Sequence, residues 1–159
     1  MKTRMLTLLL ATALLATACG PKLIPGLDIE LADTPDHRAL LTIMGKYRQA
    51  YEAKDIDALT ALASEKYYED LGTPETEDDY NFEGLKSHFA EHFKQVRDLQ
   101  LNINLKDVRI DGEKAHMDYH YVTRYLVKLP SGERWQVTDE LNRLELVKEG
   151  QDWKVISGL

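Results

Sequence analysis

Cysteine is almost missing from this chain of 159 residues: Cys19 stands alone, so no disulfide can form within the chain. A phosphate-cradling glycine loop and a dinucleotide fingerprint are missing as well, which leaves nucleotide chemistry without a motif. Beyond residue 18 no apolar run is long enough to cross a bilayer. Positive charge is the scarcer sign, with 20 Lys and Arg against 27 Asp and Glu and a net charge of −7. An acidic surface repels phosphate backbones, which argues against nucleic acid as a partner. No cofactor is implied by any motif.

What is present starts at the N-terminus. Lys2 and Arg4 precede a nearly unbroken apolar run from Met5 to Leu15, then the small residues Ala16, Thr17 and Ala18. This is the layout of a secretory signal over residues 1–18, too short to span a bilayer stably. LLATAC followed by Gly20 resembles the bacterial lipoprotein signal, with Ala16 where a leucine is usual. The resemblance implies cleavage before a lipidated Cys19 and a membrane-anchored chain; an ordinary secretory signal with a chance cysteine is the alternative. Lipidation with more than one chain anchors stably, since each buried methylene contributes ~0.8 kcal/mol. Loss of residues 1–18 removes Lys2 and Arg4 and no acid, taking the net charge from −7 to −9. Gly20 lacks the aspartate associated with inner-membrane retention, so the expected location is the bacterial cell envelope, on the periplasmic face of the outer membrane. Residues 19–34 read as the lipidated cysteine and a Pro/Gly-containing tether, and residues 35–159 as one domain.

Thr34-Pro35 is a helix start, followed by apolar positions at Leu40, Leu41, Met44, Tyr47, Ala50 and Tyr51. Asp55 caps a shorter helix, and Asn81 a third with Leu85, Phe89, Phe93 and Val96 on one face. The stretch from Glu65 to Asp79, with seven carboxylates and one lysine, reads as a solvated loop without calcium-loop spacing. After Asp98 the apolar period becomes two. A phase change predicts a bulge near Lys106-Asp107, and Asp111-Gly112, Pro130-Ser131-Gly132 and Glu149-Gly150 divide four strands. The sum is α+β: three N-terminal helices on a four-stranded antiparallel meander.

YRQAYEAKDIDALTALAS (47–64), NFEGLKSHF (81–89) and GQDWKVIS (150–157) resemble the nuclear transport factor 2-like superfamily, with its SnoaL-like and ketosteroid-isomerase-like domains. That resemblance implies a cone with a cavity between helices and a curved sheet. It implies no single function, since the superfamily includes enzymes, carriers and assembly modules.

HMDYHYVTRY (116–125) then needs its faces assigned. Strand residues alternate, giving Met117, Tyr119, Tyr121, Thr123, Tyr125 and Val127 on one face and His116, Asp118, His120, Val122, Arg124 and Lys128 on the other. A three-residue loop at 130–132 would set Trp135 and Asp139 on the tyrosine face, with Asp139 opposite Thr123. A ligand pocket is then expected from Tyr119, Tyr121, Tyr125, Trp135 and Asp139, with Tyr47 and Tyr51 from the first helix. It would bind a small apolar ligand or a protein segment without transforming it. The alternatives are an assembly module, such as a homodimer through the outer sheet face, and an isomerase, dehydratase or cyclase with Asp139 as base. His116, Asp118 and His120 have spacing for zinc but sit on a mixed, solvated face, so no metal is assigned. His88-Phe89-Ala90-Glu91-His92 matches a metallopeptidase pattern, yet only strands follow it, and a helix-edge pair is expected.

Overall fold

The computed structural model describes residues 21–72, 74 and 76–159, apart from the side chain of Gln95. The signal segment 1–18 and Cys19 lie outside the described residues. Each helix starts at its expected cap. Thr34 accepts the His37 N–H at 3.1 Å, and Pro35 opens α1 (Pro35–Ala53). Lys54, at φ 55°, ends that helix. Asp55 accepts the Ala58 N–H at 3.0 Å to open α2 (Ile56–Leu62). Asn81 accepts the Gly84 N–H at 3.1 Å to open α3 (Phe82–Gln95). The acidic stretch is not all loop: β1 (Tyr68–Glu69) pairs antiparallel with β2 (Tyr80–Asn81).

The remaining strands are β3 (Val96–Asp111), β4 (Lys114–Leu129), β5 (Gly132–Glu149) and β6 (Asp152–Ser157), in that spatial order and antiparallel throughout. The β3–β4 register shifts between Leu105 and Asp107, where the change of apolar phase requires it, so Leu101 and Val108 are both buried. Asp111 pairs with Lys114, which makes Gly112-Glu113 the turn, with Gly112 at φ 59°.

The β4–β5 pairing corrects the expected register. Leu129 pairs with Gly132, so the loop is the two residues Pro130-Ser131. Leu126 then faces Trp135, Val122 faces Asp139 and Tyr121 faces Glu140. A one-residue slip turns every side chain over. Trp135 and Asp139 therefore belong to the outer face, not the tyrosine face. Trp135 is 50% exposed, Val137 59% and Leu141 73%. The reason lies further along the strand. In β5 the apolar residues change parity, from odd at 135, 137 and 141 to even at 144 and 146, and no bulge interrupts the β4–β5 ladder. Only one set can face the helices. Leu144 and Leu146 take the core at 0% and 1% exposure, packed with Met117 and Ala115. Full burial of such side chains contributes ~1.5–3 kcal/mol each, which the more open 135–141 half cannot match.

Residues 21–34 are docked on the domain rather than strung out as a tether. Leu23 bridges Ala32, Ile24 N–H donates to Leu31 C=O at 2.8 Å, and Asp33 N–H donates to Lys22 C=O at 2.6 Å. Leu31 is 4% exposed, and Ile24, Leu27 and Ile29 pack on the core. The segment leads directly into α1, which runs along the sheet from one end to the other. At its start Asp36 accepts from Lys148 Nζ at 2.7 Å and Trp153 Nε1 at 2.9 Å, beside the β5–β6 turn. At its finish Glu52 accepts the Leu101 N–H at 2.9 Å, and Lys54 Nζ donates to Val96 C=O.

Candidate functional site

Between α1, α3 and the tyrosine face of the sheet lies a cavity of about 150 Å³. Tyr47 and Tyr51 come from α1, His88, Phe89 and His92 from α3, and Leu101, Tyr121, Thr123 and Asn142 from the strands. It adjoins a wider opening of about 790 Å³, which shares His88 and His92 and adds Tyr80, Glu91, Val96, Tyr125, Val127, Leu129 and Gln136 among its lining. Alternation explains the sheet's share. Tyr121, Thr123 and Tyr125 point inward from β4, and the corrected register turns Gln136, Thr138, Glu140 and Asn142 inward from β5. Of that polar row, Gln136 lines the opening and Asn142 the inner cavity.

Of the seven expected pocket residues, Tyr47, Tyr51, Tyr121 and Tyr125 line these two spaces. Tyr119 is packed behind them at 1% exposure, with its ring 6.5 Å from that of Tyr47. Its hydroxyl accepts from Asn142 Nδ2 at 3.0 Å. Trp135 and Asp139 lie across the sheet, where Asp139 Oδ1 is 2.5 Å from His120 Nε2. The carboxylate expected among the phenols is instead Glu140, which accepts from the Tyr121 hydroxyl at 3.0 Å.

The sequence pattern undervalued His88 and His92. Their i, i+4 spacing beside Phe89 and Phe93 places both at the cavity. His88 stacks on Tyr80 with ring centroids 4.4 Å apart. Partial burial lowers the pKa of each histidine; Glu69 opposes the shift at His88, and His88 adds to it at His92. Both imidazoles are therefore neutral at pH 7. His92 Nε2 is 2.9 Å from the Tyr51 hydroxyl. Burial pushes the Tyr51 phenol well above its ordinary pKa, so the neutral phenol donates and the neutral imidazole accepts. Burial, then the bond to Glu140, pushes Tyr121 up to about 12. Chemically the inner cavity offers aromatic walls, a neutral acid–base pair, the Asn142 amide and the Thr123 hydroxyl, and the opening adds the Gln136 amide, the Ser87 hydroxyl and the Glu91 carboxylate. Among its described lining residues there is no lysine or arginine.

The zinc-spaced set on the outer face does not assemble as spaced, because His120 is taken by Asp139. Asp107, His116 and Asp118 do converge, with ligand atoms within 4.8 Å of one another. Arg143 grips Asp118 at 2.6 and 2.9 Å, and Arg109 lies 2.7 Å from Asp107. These guanidiniums hold the carboxylates against any entering cation.

No protein-family model matches the chain, and no curated protein matches it. Solved structures do. A ketosteroid isomerase-like protein from Erwinia carotovora atroseptica aligns at a TM-score of 0.63 and 14% identity, over 79% of this chain and 94% of that one. A type 2 hexachlorocyclohexane dehydrochlorinase aligns at 0.65 and 11%, over 77% and 82%. A conserved protein from Planctomyces limnophilus aligns at 0.65 and 14%, over 77% and 92%. The chain thus has the nuclear transport factor 2-like α+β fold, with three helices and a four-stranded antiparallel sheet. At these identities the likeness concerns the fold, and function must be argued from the cavity.

Proposed function

We propose that this chain is a lipid-anchored protein of the bacterial cell envelope, held through Cys19 on the periplasmic face of the outer membrane. Its cone-shaped domain binds a small, largely apolar molecule between the helices and the sheet. The observation that carries the binding reading is the stepped cavity itself, about 150 Å³ inside and 790 Å³ at its opening. The inner step has about the volume of one six-membered ring, and its lining is polar as well as aromatic. Tyrosine, phenylalanine and histidine rings give it stacking surfaces, while the Thr123 hydroxyl orients one polar group. Without lining cations, the site favours a neutral ligand over an anionic one.

Titration with a neutral naphthylamine dye tests this. One dye should bind per chain, and Tyr51→Ala or His92→Ala should weaken binding about tenfold, equivalent to ~1.4 kcal/mol. Trp135→Ala should leave it unchanged. Loss of binding in Trp135→Ala alone would move the ligand to the outer face.

The Tyr51–His92 bond favours a catalytic variant of the same reading, in which the Tyr51 hydroxyl oxygen takes a proton from the bound molecule as its own proton passes to His92 Nε2. Asp139 has no part in it, being across the sheet. His92→Asn would then retain dye binding and lose turnover.

The outer face has its own evidence. Val122, Leu126, Trp135, Val137 and Leu141 form an apolar strip interrupted by His120, Arg124 and Asp139 in the observed register, and three of the five are at least half exposed. Such a strip fits a second copy of this chain. If it does so, Val137→Lys with Leu141→Lys should halve the sedimenting mass and leave dye affinity within twofold. An unchanged mass would remove the assembly role from this face.

A further inference from the structure

Between the expected anchor and the first docked residue there is very little chain. Residues 21–34 were expected to act as slack, but they are bridged, hydrogen-bonded and packed from Lys22 onward. From Cys19 to Pro21 is two residues, a reach of at most ~7 Å. That is roughly the 5–8 Å depth of one leaflet's headgroup layer. An acyl chain on Cys19 therefore brings the docked segment against the membrane surface, with no room for the domain to swing free.

Which end of the domain this brings down follows from α1. Lys22 is bonded to Asp33, next to the Thr34 cap, and Asp36 is held by Lys148 and Trp153 at the β5–β6 turn. The other end of α1 reaches Val96, where the cavity opens between α3 and the Val127–Gln136 region. Nineteen residues of helix separate the two ends, a length of ~28 Å. The surface at the near end is suited to the interface: Leu23 is 44% exposed, and the Lys22 side chain is 82% exposed. An exposed leucine beside the long stem of a lysine buries apolar area among headgroups, while the Lys22 amine stays paired with Asp33 at 3.4 Å.

We infer that the end of the domain bearing residues 21–23, residues 32–34 and the first turn of α1 rests on the bilayer, and that the cavity opens away from it into the aqueous compartment. The ligand is then taken from solution rather than drawn laterally from the lipid. This rests on the proposed acylation of Cys19.

The test uses the full chain, made in a bacterial host so that Cys19 is processed. Lys22→Cys and Ser87→Cys variants, the second at the cavity opening, carry a fluorophore on the introduced thiol. They are reconstituted in phosphatidylethanolamine/phosphatidylglycerol vesicles containing a headgroup spin-labelled lipid. Quenching at position 22 should exceed that at position 87 several-fold. A twenty-residue Gly/Ser insert between Gly20 and Pro21 should bring the two levels together without releasing the protein. Equal quenching without the insert, or stronger quenching at 87, overturns the orientation. Mass spectrometry of the N-terminus separates the two failures: an unacylated terminus overturns the anchor and the orientation with it, whereas an acylated one with the wrong quenching pattern overturns the orientation alone.

Discussion

Tyr119→Ala should remove about 3–5 kcal/mol of folding stability, while Trp135→Ala should remove less than about 1. The two residues were expected to share one pocket, and the register sets them on opposite sides of the sheet. Tyr119 is 1% exposed, touches the Tyr47 ring and holds the amide of Asn142 through its hydroxyl. Truncation there leaves a cavity that surrounding side chains can only partly fill, and it removes a partner from a half-buried amide. Trp135 is half exposed and loses mainly its contact with Leu126 and solvent-facing area. Urea unfolding of both variants reads the contrast directly. Equal losses would mean that the indole is buried, which would return the pairing to a three-residue loop at 130–132.

Alkali should unfold the protein abruptly above about pH 10, the ordinary tyrosine pKa. Burial raises the phenols of Tyr47, Tyr51, Tyr67, Tyr80 and Tyr119, with Tyr80 and Tyr119 pushed to about 12. The folded chain therefore keeps these protons to higher pH than the unfolded chain does. Between pH 10 and 12 the unfolded state binds fewer protons, so stability falls as pH rises; below pH 10 the full contribution is present. At ~1.36 kcal/mol per unit, Tyr119 alone accounts for roughly 2–3 kcal/mol of that loss. Tyr47 acts in the same direction. Against a typical total of ~5–15 kcal/mol, the combined loss is enough to unfold the domain. Phenolate absorbance and far-ultraviolet ellipticity, followed together, should change in one steep step. Smooth titration of all eight tyrosines near pH 10, with ellipticity intact, would show that the rings are open to water.

Much of the architecture was legible because its causes are local. Thr34, Asp55 and Asn81 cap helices through side chains only three residues from the N–H groups they satisfy. The bulge at Lys106 follows from a change of apolar phase within one strand. Tyr47, Tyr51, Tyr121 and Tyr125 were legible as cavity residues for the same reason, since helix period and strand alternation assign their faces. His88 and His92 were visible as an i, i+4 pair, but nothing in α3 alone says that an aromatic cavity lies beside them.

From residue order alone came the helix starts, the four-strand meander and the alternation of residues along each strand, because each follows from side chains a few positions apart. The tertiary structure alone decided how β5 lies against β4. Its sequence carries two apolar parities, and a single rigid ladder can satisfy only one of them. Packing of Leu144 and Leu146 beneath the helices settles that choice. It sends Trp135 and Asp139 outward and turns Gln136, Glu140 and Asn142 inward.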